Sequence, residues 1–134
     1  NFEIAGQMIE MQGFIPDIAS YFYETDDEKE SYYLVAALNS PTVDELLKPM
    51  QSRGLWGPRS IHKKVLEVPI PKYNSSDENH RALSQLGEQC TQKVGQLLPQ
   101  HAKSRSIGHT RRLIKADLKQ ERKQIDEIVK RFFP

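Results

Sequence analysis

The sequence predicts an α+β domain, with a small mixed or antiparallel sheet and short helices followed by a helical C-terminal half. Three observations support this fold class. Residues 7–24 are rich in Ile, Phe and Tyr with partial alternation, as is typical of strands. Capping residues followed by apolar residues predict two short helices between residues 25 and 48. Beyond residue 75, apolar residues recur at helical spacing.

The two short helices are predicted from their start signals. Thr25 with Glu28 three residues later forms a capping box, and the acidic residues around it favour the positive end of the helix dipole. Ser40 caps the second helix, with Pro41 at its first position. We expect that helix to end before Pro49, because the residue preceding a proline avoids helical dihedral angles.

The second half begins with one more predicted strand. VLEVPIP, residues 65–71, alternates and ends in two prolines that confine it to a sheet edge or exit. Ser75 and Glu78 form another capping box and begin a long helix that Pro99 stops or kinks. Its apolar stripe predicts a core face consisting of Leu83, Leu86, Cys90, Val94 and Leu97.

A polar connection, QHAKSRSIGHT, leads to a last, long and highly charged helix. RRLIK and KQERK supply the charges on one face of this helix. The apolar stripe on its other face consists of Ile114, Leu118, Ile125, Ile128, Val129 and Phe132.

Length and composition favour a single domain. A chain of 134 residues with 37% apolar and 28% charged residues is typical of a globular domain, with residues 1–74 rich in strands and residues 75–134 helical. No apolar run is long enough to span a membrane. The single Cys90 excludes an internal disulfide and fits the cytoplasm. Because the first residue is Asn1 rather than Met, we expect a fragment of a larger protein.

Charge is distributed unevenly along the chain. Residues 1–50 contain two basic and ten acidic residues, whereas residues 51–134 contain 17 basic and eight acidic ones. Such a chain can present a basic face to phosphates, although solvated helix surfaces account for the pattern equally well.

No local motif for catalysis is evident. The sequence lacks a glycine-rich phosphate loop, and its four histidines do not combine with carboxylates or cysteine at the spacing of metal ligands. Cys90 lies on an apolar stripe, where a buried inert thiol is expected rather than a nucleophile. We therefore predict a binding module with no catalytic residue, metal or cofactor of its own.

The segment QSRGLWGPRSIHKK, residues 51–64, is the candidate binding site. It contains four cations and no carboxylate, which is suited to phosphates because each neutralised phosphate releases counterions. An arginine here can instead pair with guanine. The alternative interpretation is a solvated loop. The predicted DNA-binding residues are Arg53, Trp56, Arg59, His62, Lys63, Lys64 and Lys72.

For two residues of this set, a structural role is an alternative to DNA contact. Trp56 either packs under the loop, which is the favoured interpretation, or stacks on a sugar or base. His62 either binds phosphate when protonated or orients the loop. A second basic cluster at residues 103–123 is interpreted first as a solvated helix face, with phosphate contact as the alternative.

The order of several motifs resembles a known family. YYLVAALNS is followed by SRGLWGPRSIHKK, then by VPIPKYN, NHRALSQLG and finally QIDEIVKRFF. This order resembles the C-terminal region of restriction–modification DNA amino-methyltransferases, over about residues 16–133. In that family a YYL-x-A-x-LNS helix, a basic glycine loop, a strand ending PIP, an H-x-x-LxxLG helix and an IDxIV terminus occur in this register.

The resemblance implies a target-recognition domain that binds double-stranded DNA and positions an adenine, or less often a cytosine, for a separate catalytic domain. That catalytic domain contains a glycine motif that binds S-adenosylmethionine and an Asn/Asp-Pro-Pro-aromatic motif. This chain contains neither motif, since VPIPKY lacks the Asn or Asp and has Ile between its prolines. The competing prediction is a helical protein–protein assembly domain without DNA contact.

Overall fold

The computed structural model describes residues 23–50, 65, 67–101 and 106–133 with their side chains. It also describes the backbone of four short strands: β1 (Phe2–Ile4), β2 (Gln7–Ile9), β3 (Arg53–Gly54) and β4 (Gly57–Pro58). β1 pairs with β2, and β3 with β4, in two separate antiparallel ribbons.

The predicted α+β fold class is wrong, because the described chain is helical. Helices account for 78% of the residues described with side chains, and no sheet occurs among those residues. The predicted strand at 65–71 is replaced by a short 3-10 turn at residues 65 and 67, after which residues 69–74 have no regular structure. Its two prolines lack the N–H groups that a ladder needs. Of the strand region predicted at residues 7–24, Gln7–Ile9 forms β2, residues 23 and 24 are not in a strand, and residues 10–22 lie outside the described residues.

The described residues form five α-helices: α1 (Glu28–Leu38), α2 (Pro41–Leu47), α3 (Glu78–His101), α4 (Ile107–Asp117) and α5 (Lys119–Val129). A 3-10 turn, Lys48–Met50, follows α2, and another, Lys130–Phe132, follows α5. None of the described helices combines the length and apolar composition that a bilayer crossing requires.

Capping side chains begin the first two helices. Asp27, not the predicted Thr25, caps α1, since its carboxylate accepts hydrogen bonds from the backbone N–H groups of Lys29 and Glu30. The predicted cap of α2 is confirmed: Ser40 Oγ accepts the N–H of Val43 at 3.2 Å.

Asp77, not the predicted Ser75, caps α3, which begins at Glu78. The Asp77 carboxylate accepts the N–H groups of Asn79 and His80, at 2.8 and 3.2 Å. Pro99 lies inside the helix, in its last turn, and does not end it.

The predicted long last helix is divided into α4 and α5 at Leu118. Leu118 leaves helical geometry (φ −96°, ψ 15°) and is buried. Its N–H still bonds to Ile114 O, and its own carbonyl accepts the N–H of Arg122, so backbone hydrogen bonding continues through the bend. Helix α4 contacts both α3 and α5, and its residues Arg111, Ile114 and Lys115 line a groove between these helices.

The hydrophobic core lies where α1, α3 and α5 meet. Tyr33, Leu83, Val43 and Val129 are among its fully buried residues. Leu86 and Cys90, on the stripe predicted from the sequence, pack against this core, as do Ile128 and Phe132 on the last helical segment. Burial of such apolar surface is the main driving force for the arrangement.

Candidate functional site

The motifs that carry the family resemblance contact one another in the core. Tyr33, from YYL, donates a hydrogen bond to the carbonyl of Pro71, from PIP, at 2.7 Å. Burial raises the pKa of Tyr33 to about 12, because the phenolate form is disfavoured away from water. Tyr33 thus joins α1 to the segment that follows the basic loop.

His80 has a structural role in the same place. Its Nδ1 accepts the backbone N–H of Asn74 at 3.0 Å, and its ring is buried against Tyr33, with a centroid separation of 4.8 Å, and Phe132, at 5.4 Å. The Nδ1 hydrogen bond holds the ring to the backbone at Asn74, and His80 serves as a packing group in the core.

The crossing of α1 and α3 depends on small residues. A Cβ atom added to Gly87 would lie 2.2 Å from the carbonyl oxygen of Tyr32, so only glycine fits there. One turn earlier, Ser84 Oγ donates to the carbonyl of Lys29 at 2.9 Å. The H-x-x-LxxLG motif therefore serves close helix packing in this fold.

Asp126, from the IDxIV motif, holds α5 against α2. Its buried carboxylate accepts the N–H and the hydroxyl of Thr42 at 2.8 and 2.7 Å, at the N-terminus of α2. It also pairs with Lys130 at 2.8 Å. Burial opposes ionisation, but the hydrogen bonds from Lys130 and Thr42 outweigh it and hold the pKa of Asp126 below its ordinary value.

The predicted DNA-binding residues are described only partially. Lys72 lies in the segment after the loop with an exposed side chain. Arg53 contributes its backbone to β3, and its side chain lies outside the described residues. The remaining members of the set lie outside the described residues; these are Trp56, Arg59, His62, Lys63 and Lys64.

A groove that the sequence did not reveal lies between α1, α3, α4 and α5. Its volume is about 670 Å³. The walls are mainly aliphatic, with Val35 from α1, Val94 from α3 and Ile114 from α4. A signal for it was present, since residues 111, 114, 115, 118, 122 and 125 recur at helical spacing and combine cations with aliphatic residues.

Three cations border this groove, and no carboxylate lines it within the described chain. Arg111, Lys115 and Arg122 make no ion pair with any carboxylate among the described residues. The nearby carboxylates of Asp117 and Glu121 are bound instead by His101, at 3.0 Å, and by Lys93, at 2.7 Å. The groove consequently has an apolar interior and a positively charged border, which together favour an anionic, partly apolar ligand.

Cys90 also lines the groove and remains a free thiol. Burial, assisted by the negative charge of Glu121, raises the pKa of this thiol. Because the thiolate is the reactive form, Cys90 is a poor nucleophile.

The described residues contain no cluster of three or more His, Cys, Asp or Glu side chains that could hold a metal ion. Comparisons of the sequence with protein-family models and curated proteins, and of the structure with solved structures, found no match.

Proposed function

We propose that this chain binds double-stranded DNA as the target-recognition region of a restriction–modification DNA amino-methyltransferase, in the cytoplasm. The methyl transfer itself belongs to a catalytic domain that binds S-adenosylmethionine and acts on an adenine. The observation that carries the proposal is the segment 51–64, with four cations and no carboxylate, within a motif order that resembles this family.

Packing at both ends of this segment supports the proposal. On one side, Leu47 is buried and Met50 packs against the core; on the other side, Val65 packs against the core and Val68 is buried. The residues that flank the basic segment on both sides are therefore held by the core. Such fixed ends lower the conformational entropy lost when a loop is ordered against a ligand.

The test is a fluorescence-anisotropy titration of labelled duplexes at about 50 mM and about 200 mM salt. We expect affinity to fall steeply with salt. Lys63→Ala and Lys64→Ala should weaken binding to all duplexes about equally and lower the salt slope by about 1 each. Arg53→Ala or Arg59→Ala should change the preference between sequences by roughly 1–3 kcal/mol.

Lys48→Ala is the matched control, because Lys48 lies just before the segment and is paired with Glu45. It should leave affinity and salt slope unchanged. If the four loop variants bind duplexes with the affinity and salt slope of the unaltered chain, the proposal that this segment recognises DNA is wrong. Concentration-dependent mass without any duplex binding would favour the assembly domain instead.

A further inference from the structure

The groove between α1, α3, α4 and α5 has the size and lining of a binding site. Its volume of about 670 Å³ lies within the range of typical protein binding pockets. Leu118 and Ile125 complete the aliphatic lining begun by Val35, Val94 and Ile114, and no aromatic side chain of the described residues contributes. An aliphatic partner suits this lining, whereas nucleobases would find no ring to stack on.

The positive charge on the border of the groove favours a partner with acidic groups. Arg111, Lys115 and Arg122 make no ion pair with a carboxylate among the described residues, while the carboxylates of Asp117 and Glu121 contact His101 and Lys93. An incoming acidic group therefore meets three cations along the border whose charges are not already paired with a carboxylate of the described residues.

The walls also determine the backbone geometry of the partner. They are helices whose backbone groups are bonded within each helix, so an extended peptide would find no ladder of free N–H and C=O groups. A helix satisfies its own backbone and can place aliphatic residues spaced by three and four into an apolar groove.

We propose that this groove binds an acidic amphipathic helix of a partner polypeptide. Its Leu, Ile or Val side chains lie between Val35 and Ile114, and its Glu or Asp side chains face Arg111 and Arg122. This inference is independent of DNA binding, which uses the segment 51–64.

The probe is a synthetic helix of about 18 residues with leucines on one face and glutamates elsewhere. A peptide with lysines in place of the glutamates is its control. Methyl NMR spectra of the chain report binding directly, with Val35, Val94 and Ile114 in the groove and the buried Val43 as reference. We expect the glutamate peptide to shift the groove methyls and leave Val43 unchanged.

Charge reversal tests the border. Arg111→Glu together with Arg122→Glu should lower the affinity for the glutamate peptide about tenfold or more and raise the affinity for the lysine peptide. Arg112→Glu is the matched control, because Arg112 is the exposed neighbour of Arg111 and does not line the groove. It should change the affinity less than about twofold.

Several outcomes would overturn the proposal. These are an absence of methyl shifts, an equal response to both peptides, or shifts caused by duplex DNA at the same methyls. NOEs in the peptide-free protein from residues 1–22 to Ile114 would identify the chain's own segment as the occupant. Groove shifts that grow with protein concentration alone would identify a second copy of the chain.

Discussion

Helix α1 has two contrasting sides. Towards α3 its backbone approaches Gly87 so closely that no side chain fits, and Tyr33 is fully buried. Towards the groove, Val35 is 45% exposed, and Asn39, the residue that caps the C-terminus of α1, lines the groove. One eleven-residue helix thus carries both a very tight backbone contact and a wall of the candidate binding surface.

The difference teaches that one motif, YYLVAALNS, supplies both a core residue such as Tyr33 and a groove residue such as Val35. The motif residues Tyr33, Pro71, His80 and Gly87 bond or pack with their neighbours in the core and stabilise the fold. Substitutions on the closed side should therefore change stability, whereas substitutions at the groove border should change binding and leave stability nearly unaltered.

The largest loss of stability is expected from Gly87→Ala. The added Cβ would meet the Tyr32 carbonyl at 2.2 Å, and backbone on both helices must move, at a cost of roughly 2–4 kcal/mol. Urea denaturation measures this loss. Gly95→Ala is the control in the same helix, since no atom lies within 4 Å of its added Cβ. It should stabilise the protein by about 0.5–1 kcal/mol, and equal losses at both positions would contradict the tight crossing.

A second, intermediate loss is expected from Asp126→Ala. The substitution leaves the N–H and hydroxyl of Thr42 without their acceptor and should cost roughly 1–3 kcal/mol in urea denaturation at neutral pH. Glu127→Ala, at the exposed neighbouring carboxylate, should change stability by less than about 0.5 kcal/mol.

The same variant has a defined pH dependence. The folded-state pKa of Asp126 is lowered. The stabilisation that its ionised carboxylate contributes is therefore complete above the unfolded pKa of about 3.9, and it is lost as pH falls through the folded pKa. The difference in free energy of unfolding between the unaltered chain and Asp126→Ala should therefore be constant near neutral pH and decrease at acidic pH. A difference that persists unchanged below both pKa values would exclude the carboxylate hydrogen bonds as its source.

The smallest effect is expected from Tyr33→Phe, which removes one hydrogen bond to Pro71 and should cost about 1 kcal/mol. Since the folded-state pKa of Tyr33 is raised to about 12, its contribution is present below the unfolded value of about 10 and declines between these two pH values. Stability measured across this window should fall less steeply in Tyr33→Phe. Tyr23→Phe, at a tyrosine that is 61% exposed, is the control and should leave stability at neutral pH almost unchanged.

Local signals predicted the helices better than the strands. Ser40 capped α2 as expected, since a cap needs only groups three residues apart. The strand at 65–71 was wrong because alternation around two prolines fits an irregular segment equally well, and Tyr33 holds that segment through Pro71. The groove was missed because its walls come from helices far apart in the chain, although Arg111 and Ile114 already had the spacing of one helix face.

The sequence alone determined where most helices run and that cations concentrate after residue 50, because both depend on neighbouring residues and composition. Only the tertiary structure decided that Gly87 permits the crossing of α1 and α3, that Asp126 holds α2, and that Arg111, Lys115 and Arg122 border one apolar groove. The physical reason is that burial and the approach of distant groups arise from packing, which no local pattern specifies.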